Sequence, residues 1–301
     1  LPLMRGDEVP HAPHLALTAQ AWPGSVAVYG SEADENYTLE QVMAARQVIG
    51  VTETSLAAAG AGRWDLGADL QVKLISGTLE SRDLQAVLNG ANAAAIGDGT
   101  PGNWELFQFR EAELIAPQTY LLRGRLRGQL GSDALMPDIW PEGSFVVLLD
   151  GTPVQMELAP EQRRRLRHYR IGPARRGLED PSYLHLQESF EGNGLRPYAP
   201  VHLRLNGALG NGISASWIRR TRIEGDTWEL EEVPLGEEIE AYRIRVMQGA
   251  SVLREETAAT PAWSYPAAAQ AADGVQPGDV LEVAQRSARF GAGPAARVVL
   301  G

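Results

Sequence analysis

The sequence has no cysteine among its 301 residues, which excludes disulfide frameworks and thiolate metal sites. Only one of the 27 basic residues is a lysine, Lys73. No apolar run approaches the roughly 18 residues of a transmembrane helix, so we expect no membrane span. Because the sequence begins with Leu1 rather than Met, we expect it to be a piece of a longer protein.

The composition indicates a folded acidic protein built from short strands. The net charge is −11 and the pI is near 5.0, so the molecule repels phosphate backbones and we expect no nucleic-acid partner. The 32 glycines and 19 prolines favour many strands joined by tight turns over a helical bundle. A hydrophobic fraction of 44% is sufficient for a packed core.

Residues 1–155 form the first of three predicted stretches, and they read as a β-rich domain. Short segments rich in β-branched and aromatic side chains alternate here with turn formers. Residues 38–49 fit both a helical face and a strand, and we favour the strand. The segments predicted as strands are residues 25–29, 70–75, 105–109, 119–123 and 144–149.

Residues 199–301 are predicted to form a β-sandwich. Apolar residues occupy every second position in five sets, as half-buried antiparallel strands require. About seven short strands with a buried Trp217 on an early strand are typical of a fibronectin type III or immunoglobulin-like module, and the lack of cysteine favours the fibronectin type. Gly207, Gly210 and Gly212 are interpreted as a turn between two strands of this sandwich.

Residues 156–198, between these two domains, are predicted to be an arginine-rich connector. One interpretation is a solvated connector with a short helix. The other is an interface that docks an acidic neighbour, because guanidinium groups pair well with carboxylates. The arginines of this candidate interface are Arg163, Arg164, Arg165, Arg167, Arg170, Arg175 and Arg176.

The residues that carry chemistry form no catalytic or cofactor-binding pattern. There is no G-x-S-x-G motif, and the chain lacks the alternating βα units of a barrel enzyme, so we expect no enzyme and no cofactor. His11 and His14 have the spacing of a metal pair, but Pro13 lies between them and no third ligand is near in sequence. His168, His185 and His202 stand alone in sequence and are interpreted as surface or packing residues, so we expect no metal site.

Three of the seven tryptophans lie beside predicted turns, and they are candidates for an exposed platform that stacks on a sugar ring. The alternative is that they are core or interface anchors. The three candidates are Trp104, Trp228 and Trp263.

Several blocks of sequence resemble phage tail proteins of the host-specificity, tail-tip class. These blocks are Asn89–Ala95 (NGANAAA), Glu105–Ile115 (ELFQFREAELI) and Leu121–Asp133 (LLRGRLRGQLGSD). Further blocks are similar to the very large "megatron" baseplate proteins of gene transfer agents and related siphophages: Tyr169–Arg176 (YRIGPARR), Leu195–Leu203 (LRPYAPVHL), Ser216–Thr221 (SWIRRT) and Ala284–Pro294 (AQRSARFGAGP). Most of the chain from about residue 85 onward shows this similarity, and residues 1–60 show it least.

The resemblance implies a trimeric distal-tail protein that closes the tail tube, carries fibronectin-like modules and contacts the host envelope. The family's glycosidase-like barrel lies outside the region of resemblance, so no catalytic residue is carried over. We therefore expect a structural virion component at a tail tip or baseplate, made in a bacterial cytoplasm, with other tail proteins as partners. The alternatives are a module that binds a capsule or cell-envelope saccharide, and a hydrolase acting on peptidoglycan or capsule.

Overall fold

A computed structural model describes residues 1, 4, 8–151, 153–225 and 233–301. The chain folds into two compact units, Leu1–Gly194 and Leu195–Gly301, and each is described by itself. Nearly all of the regular structure is β-strand, which confirms the predicted mostly-β fold. No helix among the described residues is long and apolar enough to cross a membrane.

The first unit contains fifteen of the strands among the described residues and one short α-helix. Asp83 caps the helix, because its side chain accepts a hydrogen bond from the backbone N–H of Ala86 at 2.8 Å. Two 3-10 helices, Ser132–Leu135 and Pro160–Gln162, lie in connections, and a third spans Asn193–Leu195. In chain order the elements are β1 (His14–Leu15), β2 (Val26–Ser31), β3 (Thr38–Met43), β4 (Ile49–Thr52), β5 (Leu56–Ala57), β6 (Trp64–Asp65), β7 (Leu70–Ser76), α1 (Leu84–Leu88), β8 (Ala93–Gly97), β9 (Trp104–Ala116), β10 (Thr119–Gln129), β11 (Ile139–Trp140), β12 (Phe145–Leu148), β13 (Val154–Gln155), β14 (Arg167–Pro173) and β15 (Leu184–Glu188).

Six of these strands close into an antiparallel barrel in the order β10-β7-β4-β12-β8-β9. Closure comes from the long hairpin β9–β10, because β10 pairs with β9 on one edge and with β7 and then β6 on the other. Closing the sheet removes the unpaired edges that would otherwise template aggregation. Apolar side chains at alternate positions of these strands form the core, in which Leu70, Ile96, Phe107 and Leu122 are fully buried.

Charged side chains are also buried in this unit. Glu105 lies on the same face of β9 as Phe107 and Phe109, and neither Glu105 nor Arg127 of β10 is exposed to solvent. The two groups form a bidentate pair, with Nε to Oε1 at 2.6 Å and Nη2 to Oε2 at 2.7 Å. Trp140 Nε1 donates to Glu105 Oε2 at 2.7 Å, and the backbone N–H of Gly128 donates to Oε1 at 3.1 Å. Each of the two carboxylate oxygens of Glu105 therefore accepts two hydrogen bonds.

A second guanidinium extends the network. Arg125 is 1% exposed, and its Nε donates to Asp65 Oδ2 at 2.9 Å. Its other nitrogens donate to the carbonyl oxygens of Leu122 and Ala68, both at 2.8 Å. Burial alone would raise the pKa of Asp65, but hydrogen bonds from Arg125 and the Gly67 amide, together with the charges of Arg125 and Arg127, lower that pKa overall. We refer to Asp65, Glu105, Arg125, Arg127 and Trp140 as the buried ion network.

The stretch predicted as a connector is divided between the two units, since residues 156–194 lie in the first and residues 195–198 in the second. Strand β14 begins at Arg167 and pairs with β2 on one side and β15 on the other, giving a four-stranded sheet of order β15-β14-β2-β3. The strand favoured for residues 38–49 is present as β3, followed by β4 from Ile49. Val28 of β2 and Tyr169 of β14 are buried in a small hydrophobic cluster with Met156.

The second unit is a two-sheet sandwich whose strand order is that of fibronectin type III modules. One sheet has the order β16-β17-β20 and the other β19-β18-β21-β22, so the described strands divide three and four. The elements are β16 (Val201–Ala208), β17 (Gly212–Ile218), β18 (Tyr242–Gln248), β19 (Ser251–Ala258), β20 (Ala262–Tyr265), α2 (Ala267–Asp273), β21 (Val280–Ser287) and β22 (Gly291–Val299).

The alternation predicted for this sandwich is confirmed. Trp217 of β17 is 4% exposed and packs edge-on against Tyr242 of β18, with ring centroids 5.1 Å apart. Ile244 and Leu281 from the four-stranded sheet are fully buried in the same cluster, so the two inner faces meet. The predicted glycine turn also joins β16 to β17, and Gly212 has φ +87°, which favours glycine.

Candidate functional site

Four arginines of the candidate interface pair with carboxylates of the same unit. Arg167 is buried and donates to Glu40 of β3, while Arg170 donates to Asp34 at 3.0 Å. Two exposed pairs complete the set, Arg164 with Glu191 at 2.7 Å and Arg176 with Asp180 at 2.8 Å. The acidic groups expected on a neighbouring molecule are therefore supplied, for these four arginines, within the first unit itself.

The other three arginines differ in exposure. Arg163 is partly buried, and its side chain lies against Gly192. Arg165 and Arg175 are exposed, and neither forms an ion pair with a carboxylate among the described residues. The part of the cluster that can reach another molecule without breaking an internal ion pair is thus Arg165 and Arg175.

The tryptophan candidates fall in three different situations. Trp263 is 8% exposed, stacks on Tyr265 with ring centroids 5.0 Å apart, and donates from Nε1 to Glu256 at 2.7 Å. The expectation of an exposed platform at Trp263 is therefore wrong, because strand β20 turns this ring into the core. Trp228 lies outside the described residues.

Trp104 remains as a platform candidate, because it is only partly buried and lines an apolar cavity of about 570 Å³. It stands opposite Gly97 in the β8–β9 ladder, where a Cβ would come within 2.6 Å of the indole ring. The absence of a side chain at Gly97 therefore allows the indole ring of Trp104 to pack directly against strand β8. Phe145, Leu186 and Phe190 contribute further apolar surface to the same cavity.

Two histidines that stand apart in sequence meet on the sheet β15-β14-β2-β3. His168 Nδ1 lies 3.1 Å from His185 Nε2, and the rings are stacked with centroids 5.3 Å apart. Asp34 Oδ1 lies 3.8 Å from His185 Nε2. The candidate ligand atoms of all three residues fall within 4.8 Å of one another. We refer to Asp34, His168 and His185 as the His–Asp cluster. The sequence analysis missed this cluster because it considered each histidine by itself.

The carboxylate of this cluster is held ionised by its neighbours. Tyr37 donates to Asp34 Oδ1 at 2.6 Å, and Arg170 donates to the same oxygen at 3.0 Å. These hydrogen bonds lower the pKa of Asp34 to about 2. Asp34 is therefore a carboxylate throughout the physiological pH range.

The other histidine pair does not converge on a common point. His11 Nε2 lies 2.8 Å from the carbonyl oxygen of Leu158, whereas His14 Nε2 lies 3.2 Å from Glu8 Oε1. Within the described part of the chain, the His–Asp cluster is the group of at least three His, Asp or Glu side chains whose possible ligand atoms lie close enough together to hold one metal ion.

Comparison with known proteins gives one family match. Residues 47–147 match the family model described as "Rcc01698-like, C-terminal", which is about a third of the chain. No curated protein matches the chain. The matched range begins just before β4 and ends within β12, so it is the segment that forms the six-stranded barrel.

Solved structures give only distant similarity. The chain is 7% identical to the crystal structure of chicken CNTN1 FN1-FN3 domains, with 92% of this chain and 90% of that one covered and a TM-score of 0.23. It is 8% identical to a crystal structure of domains from titin, with 91% and 74% covered and a TM-score of 0.24. At such TM-scores neither structure bears on the function of this chain, and the barrel, residues 47–147, is the part similar to a described family.

Proposed function

We propose that the chain is a structural, non-catalytic component of a phage-like tail tip or baseplate, of a gene transfer agent or a siphophage. The observation that carries the proposal is the family-model match to residues 47–147. The three blocks that resemble tail-tip proteins, residues 89–95, 105–115 and 121–133, all lie inside that range. The match and the resemblance thus converge on the same barrel.

The architecture supports this proposal in physical terms. A baseplate subunit transmits load between neighbours and needs stiff modules more than it needs a reactive pocket. The strands of the closed barrel wall are paired on both sides, and the barrel is further tied by the buried ion network. In the proposed particle the chain assembles as a homotrimer with other tail proteins and contributes to attachment to the host envelope. A trimer closes through heterologous contacts, so each subunit presents two different faces.

Exposed arginines are the side chains proposed to contact an acidic face of a neighbouring subunit. Arg165 and Arg175 fit this role because they project to solvent without an internal ion pair among the described residues. Arg167 does not fit it, because it is buried against Glu40 and Tyr169. This division narrows the interface hypothesis from seven arginines to two.

The test is to purify tailed particles from a producing strain and to examine them by mass spectrometry and electron cryomicroscopy. We expect peptides of this chain in the particles and density for it at the distal end of the tail with threefold symmetry. An Arg165→Ala/Arg175→Ala variant should be incorporated less well than the wild type at low salt, and the difference should shrink at high salt because salt screens the contacts that the two arginines make. Arg204→Ala on β16 should be incorporated normally. A chain that is abundant in the cells but absent from intact particles would overturn the proposal.

A second candidate function is recognition of a capsule or cell-envelope saccharide, and the apolar cavity beside Trp104 favours it. Aromatic faces stack on sugar rings, and Trp104 and Phe145 border the same cavity. A glycan array probed with the full chain tests this function. Binding that is lost in Trp104→Ala and kept in Trp22→Ala would support it, and an array without specific binding would reject it.

A further inference from the structure

We propose that Asp34, His168 and His185 form a binding site for a divalent transition metal ion such as Zn²⁺. Imidazole nitrogens and a carboxylate oxygen are ligands that Zn²⁺ takes in proteins. The site is independent of the tail function proposed above, because it rests on the geometry of one sheet rather than on the family match.

Strand pairing brings the two imidazoles together. His168 on β14 stands opposite Gln187 of β15, and Arg170 stands opposite His185, so the two histidines are diagonal neighbours on one face of the sheet. On its other edge His168 pairs with Ser31, the last residue of β2. Asp34 follows three residues later in the β2–β3 connection and therefore reaches the same face. Three separate segments of chain converge at this point.

The distances suit a metal ion held between the rings. Two nitrogen ligands at ordinary Zn–N lengths in a tetrahedral site lie about 3.3 Å apart. The Nδ1 of His168 and the Nε2 of His185 are 3.1 Å apart, so only a small adjustment is needed. At this distance the two nitrogens can form a hydrogen bond in which one ring donates its proton to the lone pair of the other. A metal ion would replace that proton and bind both lone pairs.

Asp34 supplies the third ligand and the negative charge. Its oxygen lies 3.8 Å from His185 Nε2, and Tyr37 and Arg170 orient the carboxylate by hydrogen bonds. Hydrogen-bonding partners of this kind commonly fix the carboxylates of metal sites. Arg170 also places a positive charge nearby, which opposes the binding of a cation and sets a limit on the affinity.

The exposure of the cluster allows a metal ion to enter from solvent. The side chains of His185 and Asp34 are 32% and 47% exposed. Three protein ligands leave at least one position of a four-coordinate ion for water or for a donor from another molecule. The site therefore combines structural bridging of β14, β15 and the β2–β3 connection with an open coordination position.

The test is isothermal titration calorimetry of the full chain with ZnCl₂. We expect one saturable site per chain, and a thermal unfolding midpoint that rises with Zn²⁺ because the ion binds the folded state. His168→Gln, His185→Gln and Asp34→Asn should each weaken binding at least about tenfold, the smallest loss seen when even an outer partner of a metal site is removed. His202→Gln, which replaces an exposed histidine of the second unit, should keep the wild-type affinity.

Absorption spectroscopy with Co²⁺ provides a second measure of metal binding that needs neither calorimetry nor thermal unfolding. Co²⁺ bound at the cluster should give visible absorption bands of tetrahedral type, and Zn²⁺ should abolish them by displacement. The circular dichroism spectra of the three variants without metal should match the wild type at a temperature well below unfolding, which separates loss of ligands from loss of fold. The proposal is overturned if no saturable site is found, or if binding persists in His168→Gln and His185→Gln and is instead lost in His11→Gln or His14→Gln.

Discussion

The two units differ in where their buried ion pairs lie. In the first unit Arg125, Arg127 and Glu105 are at most 1% exposed and lie within the barrel. In the second unit Tyr242, Ile244 and Leu281 are fully buried. The ion pair Arg254–Asp273 stands at the rim of this core, and the more buried pair Arg222–Glu237 lies in the connection between β17 and β18 rather than on a core strand. The inner faces of the sandwich meet in an apolar cluster, whereas the barrel includes a charged network at which strands β9 and β10 meet.

This difference affects how uniquely the strand register is specified as much as it affects stability. A buried ion pair loses hydration that its mutual attraction does not always recover, so it adds little net stability compared with an apolar core. Its bidentate geometry, however, is satisfied in only one alignment of the strands that carry it. We infer that the Glu105–Arg127 pair helps to set the β9–β10 register, where an irregularity occurs between Leu126 and Gln129.

The largest effect is expected from breaking the buried ion network with Glu105→Ala. The variant leaves the guanidinium of Arg127 and the indole N–H of Trp140 without their acceptor, so the free energy of unfolding of the first unit should fall by about 3–5 kcal/mol. Hydrogen-exchange mass spectrometry of the full chain should show loss of protection in β9 and β10, and unchanged protection in the sandwich. Glu113→Ala, an exposed carboxylate on the same strand, is the matched control. An equal effect of both variants would contradict the assigned role of the network.

A core truncation should break the sandwich in the same local way. Leu281→Ala removes a fully buried side chain and should lower the free energy of unfolding of the second unit by about 2–5 kcal/mol. The same exchange experiment should place the lost protection in β18 and β21, with the barrel unaffected. Val299→Ala on the adjacent strand is the control, since that side chain is 61% exposed. Loss of protection in both units would mean that they unfold together and that the comparison between them does not hold.

The rim of the sandwich should give a smaller effect that depends on pH. Hydrogen bonds from Arg254 and Tyr265 lower the pKa of Asp273, and a hydrogen bond from Trp263 lowers the pKa of Glu256. Carboxylates with a lowered folded-state pKa stabilise the fold above their unfolded pKa of about 4, and this stability is lost as pH falls through the folded-state pKa. Acid should therefore weaken the second unit.

Asp273→Asn isolates this contribution. At neutral pH the variant should be less stable by about 1–2 kcal/mol, since it loses charge-assisted hydrogen bonds. The difference from wild type should shrink as Asp273 of the wild type becomes protonated, which urea unfolding at a series of pH values would measure. Glu238→Gln, at an exposed ion pair with Arg289, should show no such convergence. A difference that stays constant with pH would exclude the carboxylate charge as its cause.

Sequence alone predicted the strands well and the buried charges poorly. The segments 25–29, 70–75, 105–109 and 119–123 coincide with β2, β7, β9 and β10, because alternation and turn formers act over a few neighbouring residues. No buried charge was predicted within the strands of this domain, and so the burial of Arg127 was missed. A signal for it was present, since Glu105 shares the alternation of Phe107 and Phe109 and so belongs to the core face of its strand.

Side-chain placement failed where a residue beside a turn still lies within a strand. Trp263 follows a turn in the sequence, yet it belongs to β20 and faces inward with Tyr265. Arg167 belongs to a run of arginines, yet it is a buried member of β14. In both cases the direction of the side chain depends on which face of the sheet meets a second layer, and that layer comes from another part of the chain.

The sequence by itself determined the acidic, cysteine-free character of this protein, its mostly-β fold and the apolar faces of its sandwich, because composition and period-two alternation are local properties. Only the tertiary structure decided that β9 and β10 close a barrel around a charged network and that four of the seven clustered arginines pair internally. It also brought His168 and His185 together beside Asp34, which lies more than a hundred positions earlier in the sequence. The physical reason is that these contacts follow from strand order and register, which hydrogen bonds between distant segments establish.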